Sequence, residues 1–349
     1  MSPRTPNGQG TRGDHERVMT LDTAVEPDRI TVRPVGGHIG ADVTDVDLND
    51  DLDDRTIAAL WAAVLEHKVV FLRGQDIDHA RHVAFARRFG DLTRRQPPHQ
   101  GIAPDGYPEI LTVDPKVEDE RYGTDFEERY RRRWTNYHAG WHTDLTPAVN
   151  PPKAGILRAT AATSHGGDTQ WTNLAAAYAG LSPALRALAD RLRTEHAFFA
   201  GCLMLQHDEL DRQVLAKNND HPLVAVHPAV RVHPETGERI LFVNPASTMR
   251  IVGLTPSESD HLLALFFEEI TRSEYTVRLR WEPGTVAFWD NRATAHLSGG
   301  DFAITGERRT LHRVTLLGDR PVGPDGYESQ LVAGEPFTAL PVSTRGATR

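Results

Sequence analysis

Three side chains of metal-binding types stand where a folded chain can bring them together. His142 and Asp144 are two residues apart in Trp141-His142-Thr143-Asp144, and in an extended segment both point to one face. A third ligand must come from a distant strand, and His296, which follows a predicted strand and a turn, is the natural candidate. Two histidines and one carboxylate leave three coordination positions open, which suits Fe(II) and dioxygen. The alternative is that His142 and Asp144 form an ordinary hydrogen-bonded surface pair.

A second set of residues indicates that anions bind nearby. In Arg309-Thr310-Leu311-His312-Arg313, an extended conformation places Arg309 and Arg313 on one face and His312 on the other. Two guanidinium groups on one buried face are costly without anionic partners, and arginine is well shaped to bind carboxylate or sulfonate. We therefore expect two anionic sites close to the metal. The alternative is a pair of surface arginines on an edge strand.

The elements that must position these residues are mostly short strands. We predict strands over 30–34, 69–72, 153–160, 169–172, 223–232, 239–243, 275–281, 285–289 and 310–317. We predict helices over 52–67, 78–89, 173–178, 183–193 and 256–271. Many short strands with inserted helices are typical of a mainly β fold with flanking helices, a jelly roll.

The chain divides into an N-terminal arm and one domain. Residues 1–28 are rich in Gly, Pro and charge without an apolar period, so we expect a disordered arm. Residues 29–349 contain no linker long enough to divide them and are predicted to form a single domain. Within that domain, residues 117–134 are dominated by charge. We interpret this run as a lid or insertion, with a solvated charged surface as the alternative.

Composition excludes several classes of protein. The 349 residues are 39% apolar and 25% charged, with a net charge of −9, as in ordinary globular domains. No stretch approaches the roughly 18 apolar residues of a membrane helix, and we expect no secretory signal. An acidic chain is a poor candidate for binding nucleic acid. Cys202 is the only cysteine, which fits a cytoplasmic location.

Five motifs, in order along the chain, resemble the TauD/TfdA family of Fe(II)- and 2-oxoglutarate-dependent dioxygenases. The resemblance runs from about Ile30 to Pro336. It is carried by the segments HKVVFLRGQ (67–75), WHTD (141–144), GGDTQW (166–171), WDNRATAH (289–296) and RTLHRVTLLG (309–318). The family fold is a double-stranded β-helix, which agrees with the jelly roll expected from the strands.

The resemblance implies roles for individual residues. His142, Asp144 and His296 match the iron ligands of the family, and Thr169 and Arg309 match the residues that bind the distal carboxylate of 2-oxoglutarate. Arg313 matches the residue that binds the anionic group of sulfonate and sulfate substrates, and the backbone amide of Leu145 falls where that group receives a further hydrogen bond. Homo-oligomers occur in the family, so the resemblance also allows a homo-oligomer.

Two positions depart from the taurine- and alkylsulfate-type members. Those enzymes carry a histidine shortly after a helix that ends in Phe-Gly, whereas Arg95 or a neighbour stands there in this chain. His138 replaces the asparagine found four residues before the first iron ligand. We interpret Arg95 and His138 as substrate contacts, with His99 as a further candidate.

The remaining histidines have weaker claims to the site. We expect solvent-exposed or packing roles for His227 and His233, and a structural role for His312. Trp141 and Trp289 are expected to wall the site.

The predicted reaction is therefore oxidation, most simply hydroxylation, of a C–H bond in a small anionic substrate, with release of succinate and CO2. Fe(II) is the expected metal, and 2-oxoglutarate and O2 are the expected cosubstrates. Two alternatives use the same residues: a Zn-dependent hydrolase with a metal-bound water, and a non-catalytic barrel that binds an anionic metabolite. The hydrolase would work without O2 or 2-oxoglutarate and would leave Arg309 and Thr169 unexplained. A visible charge-transfer band with Fe(II) plus 2-oxoglutarate is expected only for the dioxygenase.

Overall fold

The computed structural model describes residues 30–93, 102–122 and 134–341. Its α-helices are α1 (Asp54–His67), α2 (His79–Arg87), α3 (Pro115–Tyr122), α4 (Leu174–Gly180), α5 (Pro183–Ala189), α6 (Glu209–Asp220) and α7 (Pro256–Ile270). Its strands are β1 (Thr31–Pro34), β2 (Ala41–Thr44), β3 (Val69–Leu72), β4 (Ile110–Val113), β5 (Ala154–Ala161), β6 (Thr169–Asn173), β7 (Arg193–Ala197), β8 (Val224–Pro228), β9 (Val230–Val232), β10 (Arg239–Leu241), β11 (Thr248–Ile251), β12 (Thr276–Leu279), β13 (Val286–Asp290), β14 (Thr294–Ser298), β15 (Thr310–Leu316) and β16 (Gln330–Ala333).

Two facing sheets form the centre of the fold. The larger sheet has the strand order β1-β2-β3-β13-β5-β15-β4, and the smaller one has the order β12-β6-β14. Apolar side chains from both sheets meet in one buried cluster, in which Trp171 of the small sheet lies with Phe71, Leu157, Trp289 and Leu311 of the large sheet. This arrangement of two sheets around a common core is the double-stranded β-helix, and the predicted jelly roll is confirmed.

Helices α1 and α2 cover the outer face of the large sheet. Each helix begins at an aspartate that caps it: the Asp53 carboxylate accepts from the Thr56 amide, and Asp78 caps α2 in the same way. Ile57, Leu60 and Val64 then recur at helical spacing and are buried. These residues share a core cluster with apolar side chains on the outer face of the sheet. The helices thereby cover the outer face of the large sheet, and its inner face is directed toward the smaller sheet.

Side chains alternate between the two faces of β15 as the sequence predicts. Leu311 belongs to the core between the sheets, whereas Val314 and Leu316 belong to the cluster beneath the helices. His312 faces outward with the second set, where Nδ1 lies 3.2 Å from the Thr112 hydroxyl. Its ring also packs edge-on against His79. The structural role predicted for His312 is therefore confirmed. Arg313 lies on the inner face of β15, and Arg309 directly precedes the strand.

The structure differs from the sequence prediction at two boundaries near the smaller sheets. The strand predicted over 223–232 is two strands, because β8 pairs with β7 and β16 whereas β9 pairs with β10 in a separate hairpin. The helix predicted over 183–193 ends at Ala189, since β7 begins at Arg193.

Several sequence predictions fall outside the described residues. The arm over 1–28 lies there, as do Arg95 and His99. Of the charged run 117–134, residues 117–122 are described as the end of α3 and Trp134 as an isolated bridge to Cys202, whereas residues 123–133 are outside. Among the helices that are described, none is both long and apolar enough to cross a membrane.

Candidate metal centre

Backbone pairing brings the predicted ligands together. His142 forms an isolated antiparallel bridge with His296 of β14: the His142 amide donates to the His296 carbonyl at 2.9 Å, and the reverse bond is 2.7 Å. Asp144 then lies at the start of a turn rather than in the extended segment that the sequence suggested. One ligand atom from each of His142, Asp144 and His296 falls within 4.8 Å of the others. The surface-pair alternative for His142 and Asp144 is wrong, because Asp144 is buried.

The donor atoms suit a divalent metal. The Nε2 atoms of His142 and His296 each lie 3.9 Å from the same Asp144 oxygen. Nδ1 of His142 is 3.0 Å from the Gly140 carbonyl oxygen. When the Nδ1–H donates to that oxygen, the lone pair of the ring is on Nε2. Burial and the neighbouring His142 lower the pKa of His296 to about 3. His296 is therefore neutral at physiological pH, as a metal ligand must be.

Two tryptophans pack against His296. The ring of His296 lies 5.3 Å from Trp289 and stacks on Trp171 at 6.4 Å, with an interplanar angle of 28°. Both tryptophans are almost completely buried. Trp289 therefore walls this side of the site, as the sequence predicted.

Arg313 reaches the metal centre directly. Its Nη1 donates to both carboxylate oxygens of Asp144, at 2.6 and 2.7 Å. Burial acts to raise the pKa of the Asp144 carboxyl, but the Arg313 guanidinium and the two imidazoles outweigh it and hold that pKa below its usual value. The first anionic partner of Arg313 is thus Asp144, one of the three predicted metal ligands. Only Nη1 takes part in this contact, so the guanidinium retains further N–H donors.

Arg309 and Thr169 form a second polar region. Both are buried, and Nη2 of Arg309 lies 3.5 Å from the Thr169 hydroxyl. Nε of Arg309 donates to the Gly167 carbonyl at 3.0 Å, and the Trp281 indole N–H donates to the Thr169 hydroxyl at 2.9 Å. This hydrogen bonding fixes the cationic side chain beside a hydroxyl group. The two residues that the sequence paired are therefore adjacent in space.

Gly167 and Trp281 also belong to this polar region, although neither was predicted from the sequence as a site residue. Gly167 has a φ of 69°, and a Cβ built there would stand 3.0 Å from Cδ of Arg309. Only glycine combines that conformation with so close an approach. The Gly166-Gly167 pair was the available signal, whereas nothing in the spacing of Trp281 indicated its bond to Thr169.

Two other predicted substrate contacts, His138 and Leu145, lie close to the metal-site residues in sequence. His138 lies before the first ligand, but its Nδ1 is 3.0 Å from the Thr271 hydroxyl at the end of α7. Burial lowers the pKa of His138. Leu145 directly follows Asp144 with a φ of 55°, a strained conformation for a side chain of its type. Their roles as substrate contacts stay predictions, as does that of Arg95.

His227 and His233 are buried rather than solvent-exposed. Nε2 of His227 is 2.7 Å from the Thr146 carbonyl, and Nε2 of His233 is 2.9 Å from a carboxylate oxygen of Asp290. The packing role expected for this pair is correct, and the solvent-exposed alternative is wrong. Their prolines and the hairpin turn suggested a surface, but His227 on β8 and His233 after β9 are each at most 1% exposed.

A double-stranded β-helix that carries two histidines and one carboxylate has the donor set of the non-haem Fe(II) oxygenases. A family model described as taurine catabolism dioxygenase TauD, TfdA family, matches residues 31–315. The chain belongs to this family, and it is a 2-oxoglutarate-dependent dioxygenase.

Individual relatives agree with this assignment. The chain is 39% identical to an alpha-ketoglutarate-dependent sulfate ester dioxygenase of Pseudomonas putida, over 89% of this chain and 97% of the relative. It is 30% identical to an alkylsulfatase of Acinetobacter baylyi, over 89% and 92% of the two chains. The crystal structure of a taurine dioxygenase from Burkholderia xenovorans is 44% identical, with a TM-score of 0.74, covering 88% of this chain and 96% of that one. Neither the hydrolase nor the non-catalytic alternative has support among these relatives.

Proposed function

We propose that this chain oxidises a small alkyl sulfate ester at the carbon next to the ester oxygen, using Fe(II) held by His142, Asp144 and His296. The observation that carries the proposal is the Arg313 guanidinium, 2.6 Å from the Asp144 carboxylate within the same buried centre. A cation in that position can bind an anionic group close to the metal. The sequence similarity to a sulfate ester dioxygenase and an alkylsulfatase supports sulfate as that group.

The overall reaction balances without a further reagent. Alkyl sulfate, 2-oxoglutarate and O2 give succinate, CO2 and the α-hydroxyalkyl sulfate. That product collapses: the C–O bond to sulfate breaks, the hydroxyl loses its proton, and an aldehyde and inorganic sulfate leave. When bound, Fe(II) supplies the activation of O2 and the oxidation of the C–H bond.

The residues of the chain provide binding and orientation. Arg309 and Thr169 are proposed to bind the distal carboxylate of 2-oxoglutarate, because a buried guanidinium beside a hydroxyl is a natural carboxylate site. Arg313 is proposed to orient the sulfate, with the Leu145 amide, Arg95 and His138 as further contacts. The buried indole rings of Trp171 and Trp289 exclude water from the side of the centre next to His296.

The proposal is tested by measuring succinate formation with substrates that differ only in the anionic group. Alkyl sulfates should be turned over, whereas the matching alkyl sulfonates should react more slowly and the neutral alcohols not at all. Arg313→Ala should raise KM for the alkyl sulfate about 30-fold or more, since losing one partner of a buried charge pair costs about 2–5 kcal/mol. Turnover of neutral alcohols by the wild type would contradict the proposal.

Because Arg313 also contacts Asp144, its effect on the metal must be measured separately. Arg313→Lys keeps a positive charge beside Asp144 but removes the planar fork. This variant should retain the affinity for Mn(II) while KM for the alkyl sulfate rises. A fall in metal affinity without any change in KM would assign Arg313 to the metal centre alone.

Replacing Arg309 should affect the cosubstrate instead. We expect Arg309→Ala to raise KM for 2-oxoglutarate about 30-fold or more, because the carboxylate loses a buried charged partner. KM for the alkyl sulfate should change little, and steady-state rates at varied 2-oxoglutarate measure the difference. Arg308→Ala is the matched control, since that neighbouring side chain is exposed and bonds to Asp114. An unchanged KM for 2-oxoglutarate in Arg309→Ala would contradict the assignment.

A cytoplasmic location and assembly into a homo-oligomer remain predictions. Cys202 is the single cysteine of the chain, so the fold holds no intrachain disulfide that would need an oxidising compartment.

A further inference from the structure

Asn291 holds the peptide groups on both sides of Asp144. It lies in the turn between β13 and β14 and is 1% exposed. Its Oδ1 accepts from the Asp144 amide at 2.9 Å, and its Nδ2 donates to the Asp144 carbonyl at 3.1 Å. Nδ2 also donates to the Pro152 carbonyl at 2.9 Å, while the Asn291 amide donates to the Lys153 carbonyl at the same distance. The side chain therefore uses both of its ends on buried backbone.

Asp144 depends on such contacts because it lies outside the strands. It stands in a turn, where no ladder of backbone hydrogen bonds fixes its conformation. The residue that follows, Leu145, adopts a φ of 55°, which is unfavourable for a non-glycine residue and persists only where the surroundings impose it. The amide and the carbonyl held by Asn291 flank the Asp144 Cα. Fixing both peptide groups fixes the direction in which the carboxylate leaves the backbone.

The turn that contains Asn291 also leads to His296, which lies on β14. Thr294 is the first residue of that strand, two residues before His296. The Thr143 hydroxyl donates to the Thr294 carbonyl at 2.7 Å, which adds a second link between the two segments. The carboxylate ligand and the histidine ligand are thus held by a shared set of side chain–backbone hydrogen bonds.

We propose that Asn291 is a positioning residue that sets the geometry of Asp144 as a metal ligand. This inference rests on the metal site proposed above. Asn291 does not touch the metal position itself; it acts through the backbone of Asp144. Groups that orient metal ligands typically contribute about 10- to 100-fold to metal affinity.

The test is a Mn(II) titration followed by the EPR signal of the free ion, which reports metal affinity without any turnover. Asn291→Ala removes all three side-chain bonds. Asn291→Asp keeps the size and the acceptor but loses the donors to the Asp144 and Pro152 carbonyls. We expect both variants to bind Mn(II) about 10- to 100-fold more weakly than the wild type.

Asn150→Ala is the matched control. Asn150 makes the same two-ended contact with the backbone of Phe337, accepting from its amide at 2.8 Å and donating to its carbonyl at 3.0 Å. Its replacement should lower thermal stability similarly while Mn(II) affinity stays within about twofold of wild type. Should Asn291→Ala fail to fold, Asn291→Asp carries the comparison.

The outcomes separate the inference from the proposed function. Wild-type affinity for Mn(II) in a folded Asn291 variant would overturn the positioning role and leave the metal site standing. An equal loss of affinity in Asn150→Ala would also overturn it, because the effect would then follow from stability. Failure of the wild type to bind Mn(II) would overturn the metal site and the positioning role together.

Discussion

His296→Ala should eliminate metal-dependent turnover while the protein stays folded. A change that only misorients a ligand already costs up to about 100-fold in metal affinity or activity, so removing a ligand should cost more than that. The change breaks no hydrogen bond at Nδ1 of His296, because within the described residues this atom is buried without a hydrogen-bond partner. Succinate formation with saturating Fe(II) and 2-oxoglutarate measures the loss, and far-UV circular dichroism checks the fold.

The control for this variant is His261→Ala. His261 lies on the exposed side of α7, where Nδ1 is 2.6 Å from the Ser257 carbonyl. Its replacement should leave turnover unchanged. Full activity of a metal-depleted His296→Ala preparation would refute the ligand assignment.

The carboxylate ligand is a less clean target. We expect Asp144→Ala also to abolish binding of the metal, but this change leaves the Arg313 guanidinium buried without the partner it has in the native protein. Removing one member of a buried ion pair typically destabilises a protein by about 3–5 kcal/mol. Loss of activity in this variant therefore mixes chemistry with stability, which is why His296 provides the sharper test.

The sequence predicted the ligand set because metal chemistry restricts both residue type and spacing. His142, Asp144 and His296 could be named from their types and from the strands around them, and alternation along β15 placed Arg309 and Arg313 on one face. The contact between Arg313 and Asp144 could not be predicted, since the two residues are 169 positions apart. Their distance depends on how the turn after His142 meets the inner face of the large sheet.

The fold shows the same division between local and long-range information. Val69–Leu72 is uniformly apolar and was predicted to the residue. In contrast, β7 (Arg193–Ala197) carries charged and polar side chains, and it was missed because its pairing with β8 and β11 decides its structure. Helix α6 (Glu209–Asp220) was missed as well, since its polar surface leaves few residues buried. Tertiary contacts determine such elements more than propensity does.

Three fully buried histidines make the protein sensitive to acid. His82, His196 and His227 are each 0% exposed. Burial lowers the pKa of His82 to about 3 and that of His227 to about 4, and it lowers the pKa of His196 well below its usual value. All three are hydrogen-bonded as neutral rings, His82 to the Ile156 carbonyl at 3.2 Å, for example. None of them belongs to the metal centre.

The lowered pKa values determine how the free energy of unfolding changes with pH. A histidine whose pKa is lower in the folded than in the unfolded state stabilises the fold fully above the unfolded pKa of about 6.5, and this stability is lost as pH falls toward the folded pKa. Between pH 7.5 and pH 5, His82 and His227 should each cost about 2 kcal/mol of unfolding free energy, and His196 acts in the same direction. Because the net stability of a domain is about 5–15 kcal/mol, a combined loss of about 4 kcal/mol from His82 and His227 is enough to threaten folding at pH 5.

Urea unfolding of the metal-free protein at pH 7.5 and pH 5 measures this slope. His82→Gln removes one titrating group while leaving an amide that can donate to the Ile156 carbonyl. The variant should be less stable than the wild type at pH 7.5, but its loss on acidification should be about 2 kcal/mol smaller. His261→Gln, at an exposed position, should keep the wild-type slope. A wild-type slope in His82→Gln would mean that His82 takes up its proton in the folded protein as readily as in the unfolded one, and that burial does not hold it neutral.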